Sequence, residues 1–189
     1  FNNLANIYME LKNIEQAIIF FKKAIDLNPN YINAIYNREI REGTATWHLT
    51  EWDEPERLEW FAEHTAENGE PILVYSEQGV IAGFAYLTKY RGARGGYRYT
   101  RESTVYVDEK FQGQGIGTCL LDALIQAARD YGLHVLVAWI DSENVASINL
   151  HKKMGFSTVG IEPETGHKFG SWRSNQEMAF VIEQEGDDE

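Results

Sequence analysis

Ser103-Thr104-Val105-Tyr106-Val107, followed after a short connection by Gln112-Gly113-Gln114-Gly115-Ile116-Gly117, is the stretch from which the rest of the chain can be placed. The first run is β-branched and aromatic and reads as a strand. Beyond the second, Ile116, Leu120, Leu121, Leu124, Ile125 and Ala128 recur at helical spacing and predict a helix over residues 116–131, closed by Gly132. A glycine-rich turn feeding a helix start leaves several backbone N–H groups unpaired and pointing one way, at the positive end of the helix dipole. That arrangement suits an anion, above all a phosphate. No Lys-Ser/Thr follows the last glycine, so the turn is not a P-loop. Thr118 stands where a dinucleotide fingerprint has its third glycine or alanine. A ligand carrying a pyrophosphate is the natural occupant.

Downstream, residues 133–140 form a continuous apolar run, as expected of a strand buried on both faces, and the strand–helix–strand order implies a right-handed parallel crossover. A short helix follows at 147–153, stopped by Gly155, and closing strands are predicted at 156–162 and 178–183. Upstream, 72–76 and 80–89 read as an antiparallel hairpin turning at Gln78-Gly79, and the Gly-, Arg- and Tyr-rich 90–98 as a loop. Asp53 is the expected N-cap, with Pro55 in the first turn, of a helix reaching Ala66 whose apolar face includes Leu58 and Phe61. Residues 34–41 read as helical and 44–47 as a connecting loop. The expected fold is α/β, a mixed sheet with helices on both faces.

The chain has 189 residues, enough for one domain and a small addition. A formal charge of −12 argues against nucleic acid, whose binding relies on basic patches, and fits a soluble acidic surface that favours approach of an amine. The single cysteine, Cys119, falls on the apolar stripe of the predicted helix and excludes an internal disulfide or a cysteine-based metal cluster; no metal site is expected. There is no membrane-spanning run and no visible signal peptide, so a cytoplasmic protein is the default expectation. The first 37 residues hold eight of the twelve asparagines, a shift that marks a boundary. Within them the spacing of Phe1, Leu4, Ala5, Tyr8, Ala17, Phe21, Ala24 and Pro29 resembles a single tetratricopeptide repeat, an α-helical hairpin. The expected division is 1–33 for that hairpin, 34–183 for the main domain and 184–189 for an acidic tail. A lone repeat cannot bury its own face, so it packs on the next domain, meets another protein, or is what remains of a longer array.

Taken together, Ser103-Thr-Val-Tyr-Val107, Gln112-x-x-Gly115-x-Gly117 and Asn144-x-x-Ser147-x-x-Leu150-His151-x-x-x-Gly155-Phe156 resemble the GNAT superfamily of acetyl-CoA-dependent N-acetyltransferases. Residues 97–107, Leu133-His-Val and Lys168-Phe-Gly-x-Trp172 are similar to its phosphinothricin and methionine sulfone/sulfoximine acetyltransferase subfamily. The resemblance implies the GNAT acyltransferase fold over roughly 34–181. The family's first strand falls where this chain has residues 26–33, so either that segment does both jobs or the strand is replaced.

The same resemblance implies a CoA site at Gln112, Gly113, Gln114, Gly115, Ile116, Gly117 and Thr118. It also implies a pantetheine arm pairing like an added strand with Val105, Tyr106 and Val107, an oxyanion donor at the Val107 N–H, and a further contact from Asn144, which doubles as a helix N-cap. Acetyl transfer to an amine needs a proton removed from the ammonium and is helped by one reaching the thiolate. Glu102 is implied as the base, the alternative being a strand-end ion pair with Arg101 or Arg98. His151 is implied as acid or base, the alternative being a buried structural histidine. By position Gly92, Ala93, Arg94, Glu102, Ser103 and Thr104 match acceptor contacts, with Arg94 suited to a carboxylate and the hydroxyls of Ser103 and Thr104 to a tetrahedral sulfone or phosphinate oxygen; Trp47, Tyr97 and Tyr99 are candidate walls of that pocket, the alternative being aromatic packing at the sheet edges. Ser174 stands where the subfamily has Asp. The acceptor is then a small amino-acid-like amine and the assembly a homodimer. Competing expectations are a protein or peptide N-acetyltransferase, and a repeat-mediated interaction module on a CoA-binding scaffold.

Overall fold

The structure, a computed structural model, describes residues 29–64, 66–77, 80–92 and 94–183. The hairpin expected at 1–33, apart from residues 29–33, lies outside them, as do the tail at 184–189, Ala93 and the Gln78-Gly79 turn. The described residues form helices α1 (Pro29–Glu42), α2 (Glu54–Glu63), α3 (Ile116–Tyr131) and α4 (Val145–Lys153). They form strands β1 (Ile72–Glu77), β2 (Val80–Lys89), β3 (Thr100–Val107), β4 (Val135–Asp141), β5 (Ser157–Lys168) and β6 (Ser171–Val181). Residues 29–33 are helical, so β1 is the first strand among the described residues.

The strands make one mixed sheet in the order β1-β2-β3-β4-β6-β5. Every pairing is antiparallel except β3 with β4. On one face α3 lays Leu120, Leu121 and Leu124 over Ala85, Leu87, Leu136 and Met178. On the other, α1 places Ile32, Ile35, Tyr36 and Ile40 over Val74, Ile81, Phe84 and Tyr106. Strand β2, second from the edge of the sheet, feeds both layers. A register shift opposite Tyr75 and Ser76 inserts one residue near Ala82, so Ile81 and Phe84 share a face that strict alternation would split.

The parallel pair sets up the site. β3 and β4 are in register only from Thr100 with Val135 to Glu102 with Val137, and then part. Beyond that point β3 continues to Val107 on β2, and β4 continues to Asp141 on β6. A wedge-shaped gap opens in the middle of the sheet.

The structure differs from the sequence expectations at several elements, α1 among them, which begins at Pro29, five residues before the predicted helix. α2 has the Asp53 cap, a complete capping box with Glu56 and Pro55 in its first turn, but it ends at Glu63. Its buried face carries Arg57 and Trp60, whereas Leu58 is 50% exposed. The guanidinium of Arg57, 1% exposed, stacks on Tyr36, Trp52 and Trp60 at 4.4–4.7 Å from their ring centres and donates from Nε to Asn33 Oδ1 at 2.8 Å. Three rings thus solvate a cation that a hydrophobicity pattern assigns to water. Residues 163–177, between the two predicted closing strands, are instead the paired ends of β5 and β6 around Phe169-Gly170. Glycines, Pro163 and a bulge between Glu162 and Gly166 hide the two-residue period there. Finally, the sheet strand β4 starts at Val135, two residues after the apolar run begins.

Burial holds the Arg57 guanidinium down to about 10, against the opposing pull of the surrounding tyrosines. Arg57→Ala is expected to cost about 2–5 kcal/mol of unfolding free energy, the range for emptying a core position. Chemical denaturation measures it, and Arg57→Lys recovers little because an ammonium cannot stack on the rings as the planar guanidinium does.

Candidate active site

The glycine turn lies at one end of a cleft of about 440 Å³. Ten of the eleven residues expected on the cofactor side line it: Val105, Tyr106, Val107, Gln112, Gly113, Gly115, Ile116, Gly117, Thr118 and Asn144. Gln114 is turned away, its side-chain amide donating to Lys110 O at 3.2 Å. Gly113 and Gly115 have φ of +74° and +84°, which L side chains avoid, and a Cβ on either would enter open space. The turn is therefore glycine for backbone direction and close approach from above. The first helical bond runs from Cys119 N to Gly115 O, which leaves the preceding N–H groups of the α3 start aimed into the cleft.

From the turn the cleft follows β3 into the gap. Asp108 N donates to Ala82 O, on the β2 side. Alternation along the strand therefore turns the N–H groups of Val105 and Val107 toward the gap, where β4 has moved away. Of the carbonyls on this edge, Val107 O accepts from Gln112 Nε2 at 3.2 Å. The remainder is a strand edge ready to pair.

A second, smaller cavity of about 100 Å³ continues into the gap and shares Ala45, Val105, Tyr106, Asn144 and Ser147 with the first. Asn144 caps α4, its Oδ1 accepting from Ser147 N at 3.0 Å, which leaves its amide N–H group for another partner. His151 is 3% exposed and lines this cavity. Its Nδ1 lies 2.8 Å from Ser147 O; because a carbonyl only accepts, Nδ1 carries the hydrogen. In the neutral ring Nε2 then holds a lone pair, and it is buried without a partner. Burial pushes the His151 pKa down, against the Ser147 carbonyl, which favours the charged ring.

The acceptor-side residues are split. Ser103 and Thr104 line the His151 cavity, but the Ser103 hydroxyl donates to Val137 O at 3.3 Å across the root of the gap. Gly92, Arg94 and Tyr97 line a separate cavity of about 290 Å³ with Lys89, Arg98, Arg101 and Tyr131. Trp47 packs over Gly166, where a Cβ would come within 2.7 Å of the indole, and its Nε1 donates to Asn175 Oδ1 at 3.1 Å. Glu102 stands where β3 and β4 separate, half-buried, receiving the Arg91 N–H at 3.5 Å. Its pKa is raised by burial and by the charge of Glu177, against the Arg91 amide and guanidinium. Neither Arg98 nor Arg101 pairs with it: Arg98 donates to Gly95 O and lies over Tyr99, and Arg101 is spent on the carbonyls of Asn68, Gly69, Arg98 and Thr100 beside Glu70.

Sequence reasoning missed Ala45, Phe111, Ala146 and Ser147 as cleft walls. Ala45 sits in a connecting segment with no periodicity, so nothing local marks it. Ser147 stands inside the Asn144-to-Phe156 motif, and its carbonyl lies one turn before His151. That i, i+4 relation was the available signal.

Comparison with known proteins gives the family. The model of the Acetyltransferase (GNAT) family matches residues 32–156, and that of the Tetratricopeptide repeat matches 1–31. The chain belongs to the GNAT family of acetyltransferases. It is 45% identical to an L-methionine sulfoximine/L-methionine sulfone acetyltransferase of Pseudomonas paraeruginosa, over 75% of this chain and 81% of that protein. A GNAT superfamily phosphinothricin acetyltransferase from Sinorhizobium meliloti, solved in complex with acetyl-CoA, superposes with a TM-score of 0.78 at 32% identity, covering 82% of this chain and 83% of the other. A ribosomal-protein-alanine N-acetyltransferase from Brucella melitensis superposes equally well, at TM-score 0.78 and 35% identity over 82% of this chain and 94% of that one.

For His151, ¹⁵N NMR is expected to show the Nδ1–H tautomer and a midpoint below the ordinary 6.5. Since the folded pKa lies below the unfolded one, the unfolded chain takes up the proton first as pH falls. The contribution of His151 to stability is thus complete above about 6.5 and is lost as pH falls through its folded value. Burial lowers His48 and His64 likewise. Thermal unfolding across pH 7.5 to 5, compared with His151→Gln, reads the slope.

Proposed function

We propose that the chain transfers an acetyl group from acetyl-CoA to the amine of a small amino-acid-like acceptor of the methionine sulfone, methionine sulfoximine or phosphinothricin type. One observation carries this: a continuous cleft runs from the glycine turn, along an unpaired strand edge, to a buried histidine, with a carboxylate of raised pKa where the strands divide. Acetyl-CoA, when bound, supplies the acetyl group as a thioester. The chain's residues fit it. The open space above Gly113 and Gly115 admits a pyrophosphate onto the N–H groups of residues 113–118, and the edge of Val105 and Val107 suits an amide-bearing arm. The Val107 N–H, directed into the gap, is suited to stabilise an oxyanion.

Glu102 takes the proton from the acceptor's ammonium, directly or through water, and its raised pKa brings it closer to the work of a base near neutral pH. His151 has its one N–H committed to Ser147 O, so at neutral pH it acts as a hydrogen-bond acceptor through Nε2 and not as the proton donor. Arg94, on the separate cavity it shares with Lys89 and Arg98, suits an acceptor carboxylate. A peptide N-terminus is the second reading, favoured by the likeness to the Brucella enzyme. The proposal includes a cytoplasmic homodimer, which light scattering checks at the level of assembly.

Acetyl-CoA-dependent thiol release with methionine sulfone, methionine sulfoximine, phosphinothricin and an alanine-terminated peptide tests the proposal. Turnover of the small acceptors is expected; turnover of the peptide alone selects the second reading, and CoA binding without turnover of any acceptor overturns both. Glu102→Gln is expected to lower kcat by about 10²–10⁴ with acetyl-CoA affinity little changed, and in the wild type the acid limb of kcat/KM falls above the ordinary carboxylate range. Gly115→Val places its Cβ in open space but forces valine to a positive φ, at a strain of about 1–3 kcal/mol. A folded variant with unaltered acetyl-CoA affinity by calorimetry removes the pyrophosphate assignment.

A further inference from the structure

Residues 43–48 have no regular secondary structure, yet side chains from several distant elements hold them. Lys168, at the far end of β5, is 2% exposed and donates its three ammonium hydrogens to three carbonyls: Glu39 O at 2.8 Å, Gly43 O at 2.8 Å and Thr46 O at 2.9 Å. From β3, Tyr106 donates its hydroxyl to Ala45 O at 3.1 Å. From β6, Asn175 receives the Trp47 indole N–H. At the end of β4, the buried Asp141 carboxylate is opposed by burial but held low by Arg173, by Thr44 of this segment and by the Glu143 N–H. Within the segment, Tyr36 OH lies 3.2 Å from Thr46 Oγ1 and 2.6 Å from His48 Nδ1.

Four strands, including the two that border the gap, thus hold one strap. Ala45, near its middle, lines both the cofactor cleft and the His151 cavity. The anchor with the most at stake is Lys168. Glu39 and Gly43 are the last turn and exit of α1, at the negative end of its dipole; the Glu39 carbonyl already accepts the Gly43 N–H, and a cation from a distant strand joins it there and takes up the Gly43 carbonyl, adding to the C-terminal cap. No carboxylate forms an ion pair with this ammonium among the described residues; the three carbonyls are its solvation.

We propose that Lys168 is a positioning residue for acyl transfer: its ammonium fixes the 43–48 strap as a rigid roof over the cavity where acceptor and acyl group meet. It rests on the acetyltransferase function argued above, and it touches neither reactant. The glycine turn is anchored separately, through residues 108–112, so loosening the strap should weaken acceptor binding far more than cofactor binding.

The test has one readout that needs no turnover. Lys168→Met keeps the stem and removes the donors. Hydrogen–deuterium exchange is expected to rise at least tenfold in peptides spanning 43–49 and to stay unchanged across 112–118. In kinetics, acceptor KM is expected to rise at least tenfold while acetyl-CoA affinity by calorimetry changes less than threefold. Lys168→Arg, which keeps charge and donors, is expected to recover part of both effects. Unchanged exchange in the strap, or equal loss of acceptor and acetyl-CoA binding, overturns the proposal. Increased exchange in a variant whose wild type turns over no acceptor leaves the strap in place and overturns the acetyltransferase function instead. Should Lys168→Met fail to fold, the same two readouts on Lys168→Arg and Lys168→Gln decide, because graded loss of donors must give graded exchange at 43–49.

Discussion

The structure depends on an interruption. Two parallel strands share hydrogen bonds over three residue pairs and then separate, which leaves the β3 edge at Val105 and Val107 without the neighbour a sheet normally supplies. Buried or half-buried backbone polar groups demand partners, and an edge inside a domain is costly unless something fills it. Everything around the gap either keeps it open or prepares it for a ligand. β2 and β6 hold the diverging strands on their outer sides, α3 and α4 deliver the glycine turn and His151 to its two walls, and the Ser103 hydroxyl closes its root on Val137 O. A cofactor with an extended, amide-bearing arm and an anionic end is complementary to both parts of this cleft.

The roof of the gap follows a different logic from its walls. The walls are regular elements held by hydrophobic layers. The roof is irregular chain held by polar bonds that converge from four strands, with the Lys168 ammonium as its centre and Arg57 buried among rings beneath the adjoining helices. Both cations are buried, although a hydrophobicity pattern assigns such residues to water. Each is tolerable because its charge is solvated locally, one by carbonyls at a helix end and the other by aromatic faces. The acidic surface of the protein thus conceals cationic supports in its interior.

Much of the fold was legible along the chain. The predicted limits of α3 agree with the structure because sixteen residues of unbroken helical period sit between two glycines. The hairpin of β1 and β2, the capped start of α2 and the crossover to β4 were legible for the same reason: strong local signals with clear punctuation. The cleft-lining positions of ten expected cofactor residues were also accessible, since they lie within one strand–turn–helix and one helix cap. The β5–β6 hairpin was legible only in part: closing strands were expected at 156–162 and 178–183, but their extension through 163–177 was not, because most of β5 is exposed on both faces and interrupted by Gly160, Pro163 and Gly166. Nor was the division of the acceptor-side residues, where neighbours in sequence such as Arg94 and Thr104 open onto different cavities.

The sequence by itself determined the local chemistry: a glycine turn whose backbone must run at positive φ, a helix start with free donors, a capping asparagine, and a histidine one turn beyond a serine. These follow from contacts within a few residues, where spacing dictates geometry. Only the tertiary structure decided that β3 and β4 part, that Nε2 of His151 is left without a partner beside the gap, and that Lys168 reaches the end of a helix more than a hundred residues earlier in the chain. Such facts depend on which distant segments pack together. No local pattern encodes that a carbonyl in one segment lacks a donor that a lysine in another supplies.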